Sequence, residues 1–160
     1  MATKDISANR VDVKKNLDVL FALELKIAKV TPTLLQIETR DRFLHFLTGE
    51  PHSTTWLWKE PSGRNAGYMT LIDKPDEELL EVLAIRVDPG LQGLGYGRKM
   101  MGFSERLAAE LGRKKVMLAT SPENTKALGF YKRLGYRIIK KAENYYGDGT
   151  PRYLLEKELP

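Results

Sequence analysis

Apolar and polar positions along the 160-residue chain follow two rhythms, one of strands and one of helices. Residues 79–87, LLEVLAIRV, are mostly apolar and β-branched, the pattern of a strand buried on both faces. Pro89 and Gly90 stop it, and a loop with Gly93, Gly95 and Gly97 follows. From Arg98 onward Met100, Phe103, Leu107 and Leu111 fall at helical spacing, closed by Gly112 as a C-cap. Upstream, residues 11–30 and 34–47 read as two helices. The first carries Val13, Leu17, Leu20, Leu23 and Ile27 and ends at Thr31-Pro32; the second carries Leu35, Ile37, Phe43, Phe46 and Leu47 and ends at Thr48-Gly49. Residues 1–10 read as a loose polar terminus with at most a weak first strand. Residues 54–59 alternate, PSGRN makes a turn, and residues 66–72 complete a hairpin, with Trp56 and Trp58 assigned to sheet-face packing ahead of a substrate pocket. Downstream come a short strand at 115–119 and a helix at 124–134, with Ala127, Leu128, Tyr131 and Leu134 on one face. The last strands, 136–141 and 153–159, flank the turn at Gly147-Asp148-Gly149. The expected architecture is one α/β (α+β) domain over residues 1–160: a central mixed sheet, partly splayed at its middle and flanked by helices.

The loop between the central strand and its helix has a chemical use. A helix N-terminus presents unpaired N–H groups and a partial positive charge, and glycines just before it let a phosphate approach the main chain without meeting a Cβ. Two familiar phosphate loops do not fit: no G-x-x-x-x-G-K-[ST] occurs, and counting from Gly93 puts Arg98 where the dinucleotide fingerprint needs a small residue. A glycine-rich turn with no ligand is the competing reading.

The flanking residues narrow the choice. Val87 and Pro89, then Gln92, Gly95 and Gly97, form V-x-P-x-x-Q-x-x-G-x-G, which resembles motif A of the GNAT superfamily of acyl-CoA-dependent N-acyltransferases. Asn124, Ala127, Phe130, Tyr131, Gly135 and Tyr136 resemble that family's N-x-x-A-x-x-[FL]-Y-x-x-x-G-[FY] pattern. The resemblance covers residues 54–159 and implies the GNAT fold, acetyl-CoA as donor, and an amine-bearing acceptor. Two helices before the second strand form one wall of the acceptor cleft in that fold, a part that residues 11–30 and 34–47 suit; the family's usual first strand is not visible. Asn144-Tyr145-Tyr146 resembles the N-Y-Y segment of several peptide N-terminal acetyltransferases, which tilts the acceptor toward a peptide or protein N-terminus. Protein lysine, polyamine, amino acid and aminoglycoside stay open, as does a non-catalytic acyl-CoA-binding module.

Composition trims the alternatives. The chain has no cysteine, which excludes disulfides, thiolate metal sites and cysteine nucleophiles, and with only His45 and His52 no metal centre is expected. No apolar run approaches a membrane span and the first residues lack a signal-peptide core, so a cytoplasmic protein is the simplest expectation. The net charge of +5 is uneven: residues 86–160 hold 15 Lys+Arg against 8 Asp+Glu, or +7, leaving −2 for residues 1–85. Nucleic-acid binding would need a motif that is absent, and the basic residues are interleaved with acids. The split suggests instead a basic cofactor side and an acidic acceptor wall suited to a cationic amine. Homodimer formation is left open.

Acetyl transfer from a thioester to an amine needs a neutral amine, an aligned attack, a stabilised oxyanion and a protonated leaving thiolate. The resemblance implies that the main chain at Ile85 and Val87 binds the pantetheine arm and polarises the thioester carbonyl. It likewise implies that the N–H groups of Gln92, Gly93, Leu94, Gly95, Tyr96, Gly97 and Arg98 hold the pyrophosphate. Glu81, 11 residues before Gln92, resembles in spacing the central-strand glutamate by which the histone-acetylating branch deprotonates the amine through ordered water. A strand-start glutamate reaching solvent or pairing with a lysine is the competing reading, and Glu78 is a lesser candidate base. Tyr131 matches the family tyrosine that protonates the departing sulfur, against core packing beside Leu128 and Leu134. Asn124 caps its helix, contacts the pantetheine, or both.

Overall fold

In a computed structural model that describes residues 5–31 and 37–160, the elements run β1 (Ser7–Val11), α1 (Leu17–Ala28), α2 (Arg40–Thr48), β2 (Ser53–Lys59), β3 (Asn65–Lys74), β4 (Leu79–Val87), α3 (Tyr96–Glu110), β5 (Lys115–Thr120), α4 (Thr125–Arg133), β6 (Arg137–Ala142) and β7 (Arg152–Glu158). All seven strands join one sheet in the order β1-β2-β3-β4-β5-β7-β6. The doubly buried run is its middle strand. In one core cluster Leu80, Val82, Leu118 and Leu155 of the sheet pack with Met100 and Met101 of α3 and Tyr131 of α4. In a second, Tyr68 and Ala84 of the sheet pack with Leu20 and Leu23 of α1 and Phe43 and Leu47 of α2.

The feature that positions the site is a failure of pairing at the centre. β4 and β5 run parallel but pair only between Leu79–Val82 and Lys115–Leu118. Val82 lies opposite Leu71 and Ala84 opposite Thr70, so Leu83 is an extra residue in β4, a bulge that bends the strand. Among the described residues, the edge of β4 facing β5 therefore has no strand beside it from Leu83 to Val87.

Three expectations about the N-terminal third are corrected. The first strand exists: β1 pairs antiparallel with β2 along its whole length, Ser7 opposite Lys59 and Val11 opposite Thr55. The first helix starts at Leu17 rather than at residue 11, because Val11 belongs to β1 and Asp12 organises a turn, its carboxylate accepting from Lys15 N–H at 3.1 Å and its carbonyl from Asn16 N–H at 3.1 Å. The second starts at Arg40, where the Thr39 hydroxyl accepts from Arg42 N–H at 3.2 Å as an N-cap; residues 34–36 of the expected helix lie outside the described residues. Trp56 and Trp58 both pack edge-on to Phe103 of α3, with ring centroids 4.8 and 5.3 Å away, as sheet-face packing requires.

Candidate active site

Where β4 and β5 part, a cavity of about 190 Å³ opens between them. Leu83 to Val87 form one wall, Leu118 to Ser121 the other, and Asn124, Ala127 and Tyr131 of the α4 region line it as well; Ile27, Thr31, Phe46, Tyr146 and Arg152 line its other side. Ile85 and Val87, the expected pantetheine contacts, are both on this wall, in the stretch of β4 without a neighbour. An extended chain laid there would meet the free N–H and C=O groups of that edge.

Gln92 lines the same cavity, and its side chain donates to Val87 C=O at 3.3 Å. Gly93 and Gly95 take positive φ angles of 81° and 85°, which glycine tolerates and which turn the loop into the start of α3. Gly95 is the N-cap and offers no side chain, and the first bond reaching back to it is Lys99 N–H to Gly95 C=O at 3.2 Å. The N–H groups of Tyr96, Gly97 and Arg98 thus precede the helical ladder, as an anion site needs. Side chains of the loop divide: Leu94 is exposed, whereas the Tyr96 ring is buried and its hydroxyl donates to Glu60 at 2.7 Å, so only its main chain is at the helix end. Gly97 is where α3 meets α4, since a Cβ there would lie 3.2 Å from the Phe130 ring.

Tyr131 is 8% exposed and lines the cavity, and its hydroxyl has no hydrogen-bond partner among the described residues. Burial pushes its phenol up to about 12, with the nearby Arg86 guanidinium opposing. It packs in the core and faces the cavity at once. Asn124 also does two things: its side chain accepts from Ala127 N–H at 3.2 Å, capping α4, and the residue lines the cavity.

Glu81 is 3% exposed and does not line the cavity. One carboxylate oxygen pairs with the Lys74 ammonium at 2.6 Å and the other accepts from the Tyr145 hydroxyl at 2.6 Å. The lysine partner of the competing reading is present, but so is a connection toward the cavity: Tyr145 packs against Tyr146, which lines it, and Tyr146 packs edge-on to Phe46 of α2. Glu78 is elsewhere, half-exposed in the turn before β4 and paired with Lys114 at 2.8 Å.

Two further arginines were not singled out in the sequence. Arg86 lines the cavity and places its Nε–H and Nη2 on the two oxygens of buried Glu24 in α1, at 2.9 and 3.4 Å; Tyr68 donates to the same carboxylate. Arg152 lines the cavity at the start of β7, its Nη2 donating to Asp148 at 3.0 Å and its guanidinium 5.3 Å from the Tyr146 ring centroid. Neither Glu24 nor Asp148 lines the cavity, and among the described residues no other carboxylate does, so an acidic acceptor wall is not found there. Apart from it, Asp88 at the end of β4 is buried and accepts from Lys26 of α1 at 2.6 Å, from Arg64 at 3.4 Å and from Gly90 N–H at 2.8 Å.

Known proteins resemble this chain in sequence and in fold. A mycothiol acetyltransferase of Cellulomonas flavigena is 39% identical over 62 residues, spanning 39% of this chain and 18% of that protein. An N-alpha-acetyltransferase of Sulfurisphaera tokodaii is 30% identical over 79 residues, 49% of this chain and 47% of its own. Less than half of either relative is matched. The solved structure of Ard1 from Thermoplasma volcanium superposes over 97% of this chain and 98% of its own with a TM-score of 0.75 at 20% identity, a likeness of fold. The profile of the acetyltransferase (GNAT) family matches residues 22–136, more than half of the sequence and the part that holds the bulged strand, the loop and α4, and the chain belongs to that family.

Proposed function

We propose that the protein transfers an acetyl group from acetyl-CoA directly to a primary amine, a peptide or protein N-terminus being the favoured acceptor. The observation that carries this reading is the unpaired edge of β4 from Leu83 to Val87, with the glycine loop beyond its end and the unpartnered Tyr131 hydroxyl beside it. The pantetheine arm lies along that edge, and the pyrophosphate rests on the N–H groups from Gln92 to Arg98. The amine attacks the thioester carbonyl, the C–S bond breaks, and Tyr131 protonates the thiolate that leaves. Glu81 takes the amine's proton through ordered water, with Lys74 and Tyr145 holding its carboxylate in place. Acetyl-CoA is a co-substrate here, and no residue is asked to bind a metal.

The choice of acceptor rests on Tyr145 and Tyr146: the Tyr146 ring lines the cavity and packs on Phe46 of α2, and Tyr145 packs against Tyr146. A small-molecule amine is the second reading, supported by the match to a mycothiol acetyltransferase. Calorimetry with acetyl-CoA, followed by a thiol-release assay over peptides, lysine, polyamines, amino acids and aminoglycosides, tests the whole. Tyr131→Phe is expected to lower kcat on the order of 100-fold with cofactor affinity retained. Equal kcat in wild type and variant would remove Tyr131 from the chemistry, and tight acetyl-CoA binding with no acceptor turned over would leave a non-catalytic acyl-CoA-binding module.

A further inference from the structure

Arg152 is 6% exposed yet only partly satisfied. A guanidinium has five N–H donors in a planar fork. Its Nη1 donates to the Thr150 hydroxyl and to Pro151 C=O at 3.1 Å, and its Nη2 to Asp148 at 3.0 Å. The Nε–H and the second Nη2 hydrogen have no partner among the described residues, and the residue lines the cavity. The Nε–H shares an edge of the planar fork with Nη2, and such an edge can donate to a carboxylate through two parallel bonds. The protein already uses that edge once: Arg86 holds Glu24 through Nε and Nη2.

We propose that the acceptor carries a carboxylate close to its reactive amine and that Arg152 binds it through this edge, where the Nε–H is free to donate, making Arg152 a specificity-determining residue. The proposal rests on the acetyltransferase reading above. Arg152 is stacked on Tyr146, and Tyr146 packs on Phe46 of α2, so the guanidinium stands on the α2 side of the cavity, whereas the expected pyrophosphate site is at the start of α3. The lining reinforces the choice, because it includes Arg86 and Arg152 and no carboxylate. The positive ends of two ion pairs therefore face the acceptor, which favours the neutral form of an incoming amine and disfavours a polycation. A carboxylate near the amine has two sources: the α-carboxylate of an amino acid, or an acidic side chain at the start of a peptide.

The test pairs acceptors with and without that charge and compares them per neutral amine, because an adjacent carboxylate also raises the amine's pKa. Acetyl-CoA binding is measured by calorimetry, and thiol release is followed with amino acids against their carboxamides, and with peptides beginning in Asp or Glu against Asn or Gln. Wild type is expected to prefer the carboxylate member by about 10- to 100-fold in kcat/KM, the worth of a charge-assisted pair of hydrogen bonds. In Arg152→Gln that preference falls at least tenfold, through KM for the carboxylate member, and Arg152→Lys keeps part of it. The ratio is the readout, since a loop loosened by losing the Asp148 contact slows both members alike. Preference confined to free amino acids assigns the α-carboxylate, and preference confined to acidic peptides assigns the side chain. Equal rates on matched pairs, faster turnover of polyamines, or an unchanged ratio in Arg152→Gln overturns the proposal while leaving the acetyltransferase reading intact. Failure to bind acetyl-CoA overturns both.

Discussion

Tyr131 keeps its proton because burial opposes the phenolate. With the phenol raised to about 12, the hydroxyl remains a donor throughout the range in which an enzyme is assayed. The defect of Tyr131→Phe is therefore expected to be constant from about pH 6 to pH 9, and an alkaline loss of kcat in wild type within that range would have to come from another group. Glu81 behaves differently if it is the base. A peptide α-amine loses its proton near pH 8 unaided, so the penalty of Glu81→Gln in kcat/KM should shrink as pH rises through about 8. A penalty independent of pH would leave Glu81 as the anchor of Lys74 and Tyr145. Glu24 carries a heavier structural burden than either. Its carboxylate is buried between Arg86 and Tyr68, and removing it strands a guanidinium that is itself only 12% exposed. Glu24→Ala should cost about 3–5 kcal/mol, measured by urea unfolding, because an uncompensated buried charge is left behind.

Among the elements, Asp88 links two that the site needs in register. Burial works against its charge, but Lys26 and the Gly90 N–H outweigh it and hold the carboxyl below its ordinary range. A folded value below the unfolded one means that Asp88 stabilises the fold above about pH 4, with the contribution lost as pH falls through the folded value. Asp88→Asn should lower the melting temperature at pH 7, and the gap from wild type should narrow as the pH is taken below 4. Much of the element pattern was legible because local chemistry dictates it: Pro89 and Gly90 end β4, the glycine loop leads into α3, which starts at Tyr96 and not at the expected Arg98, Gly112 at φ 72° follows its end, and Asn124 caps α4. The first strand was hidden for an equally physical reason. Ser7-Ala8-Asn9-Arg10-Val11 has no alternation, and as an edge strand it is held by main-chain pairing to β2. The bulge at Leu83 carries no turn residue to mark it, and Arg152 gains its place in the cavity from β7 inserting between β5 and β6, a long-range event no local pattern encodes. The loop and Tyr131 could be located from motifs, whereas the groups around the acceptor end depend on which side chains the tertiary fold brings together.

At the scale of the whole molecule, the sheet keeps its two packed faces apart and opens along the seam between β4 and β5. Among the described residues no helix is long and apolar enough to cross a membrane, and no cluster of three or more metal-ligating side chains occurs. The charge difference between +7 for residues 86–160 and −2 for residues 1–85 is a long-range property, and the cavity lining is a short-range one. Salt separates them, because charges in open solvent are screened over about 8 Å at physiological ionic strength while partly buried pairs are screened far less. Acetyl-CoA, a polyanion drawn to the basic half, should bind more weakly as salt rises. A carboxylate-bearing amine held by buried Arg152 should show only a modest rise in KM, and its carboxamide none. A cationic amine discriminates most sharply. If the acid surface of residues 1–85 steers it toward the cleft, its KM climbs steeply with salt; if the guanidiniums of Arg86 and Arg152 repel it at the cavity, its KM stays level or falls. The second outcome is expected, because both arginines line the cavity and no carboxylate does. Steady-state kinetics of matched cationic, neutral and carboxylate-bearing amines from low to high salt would decide it, and a steep rise for the cationic amine alone would return the acceptor wall to the acidic half of the chain.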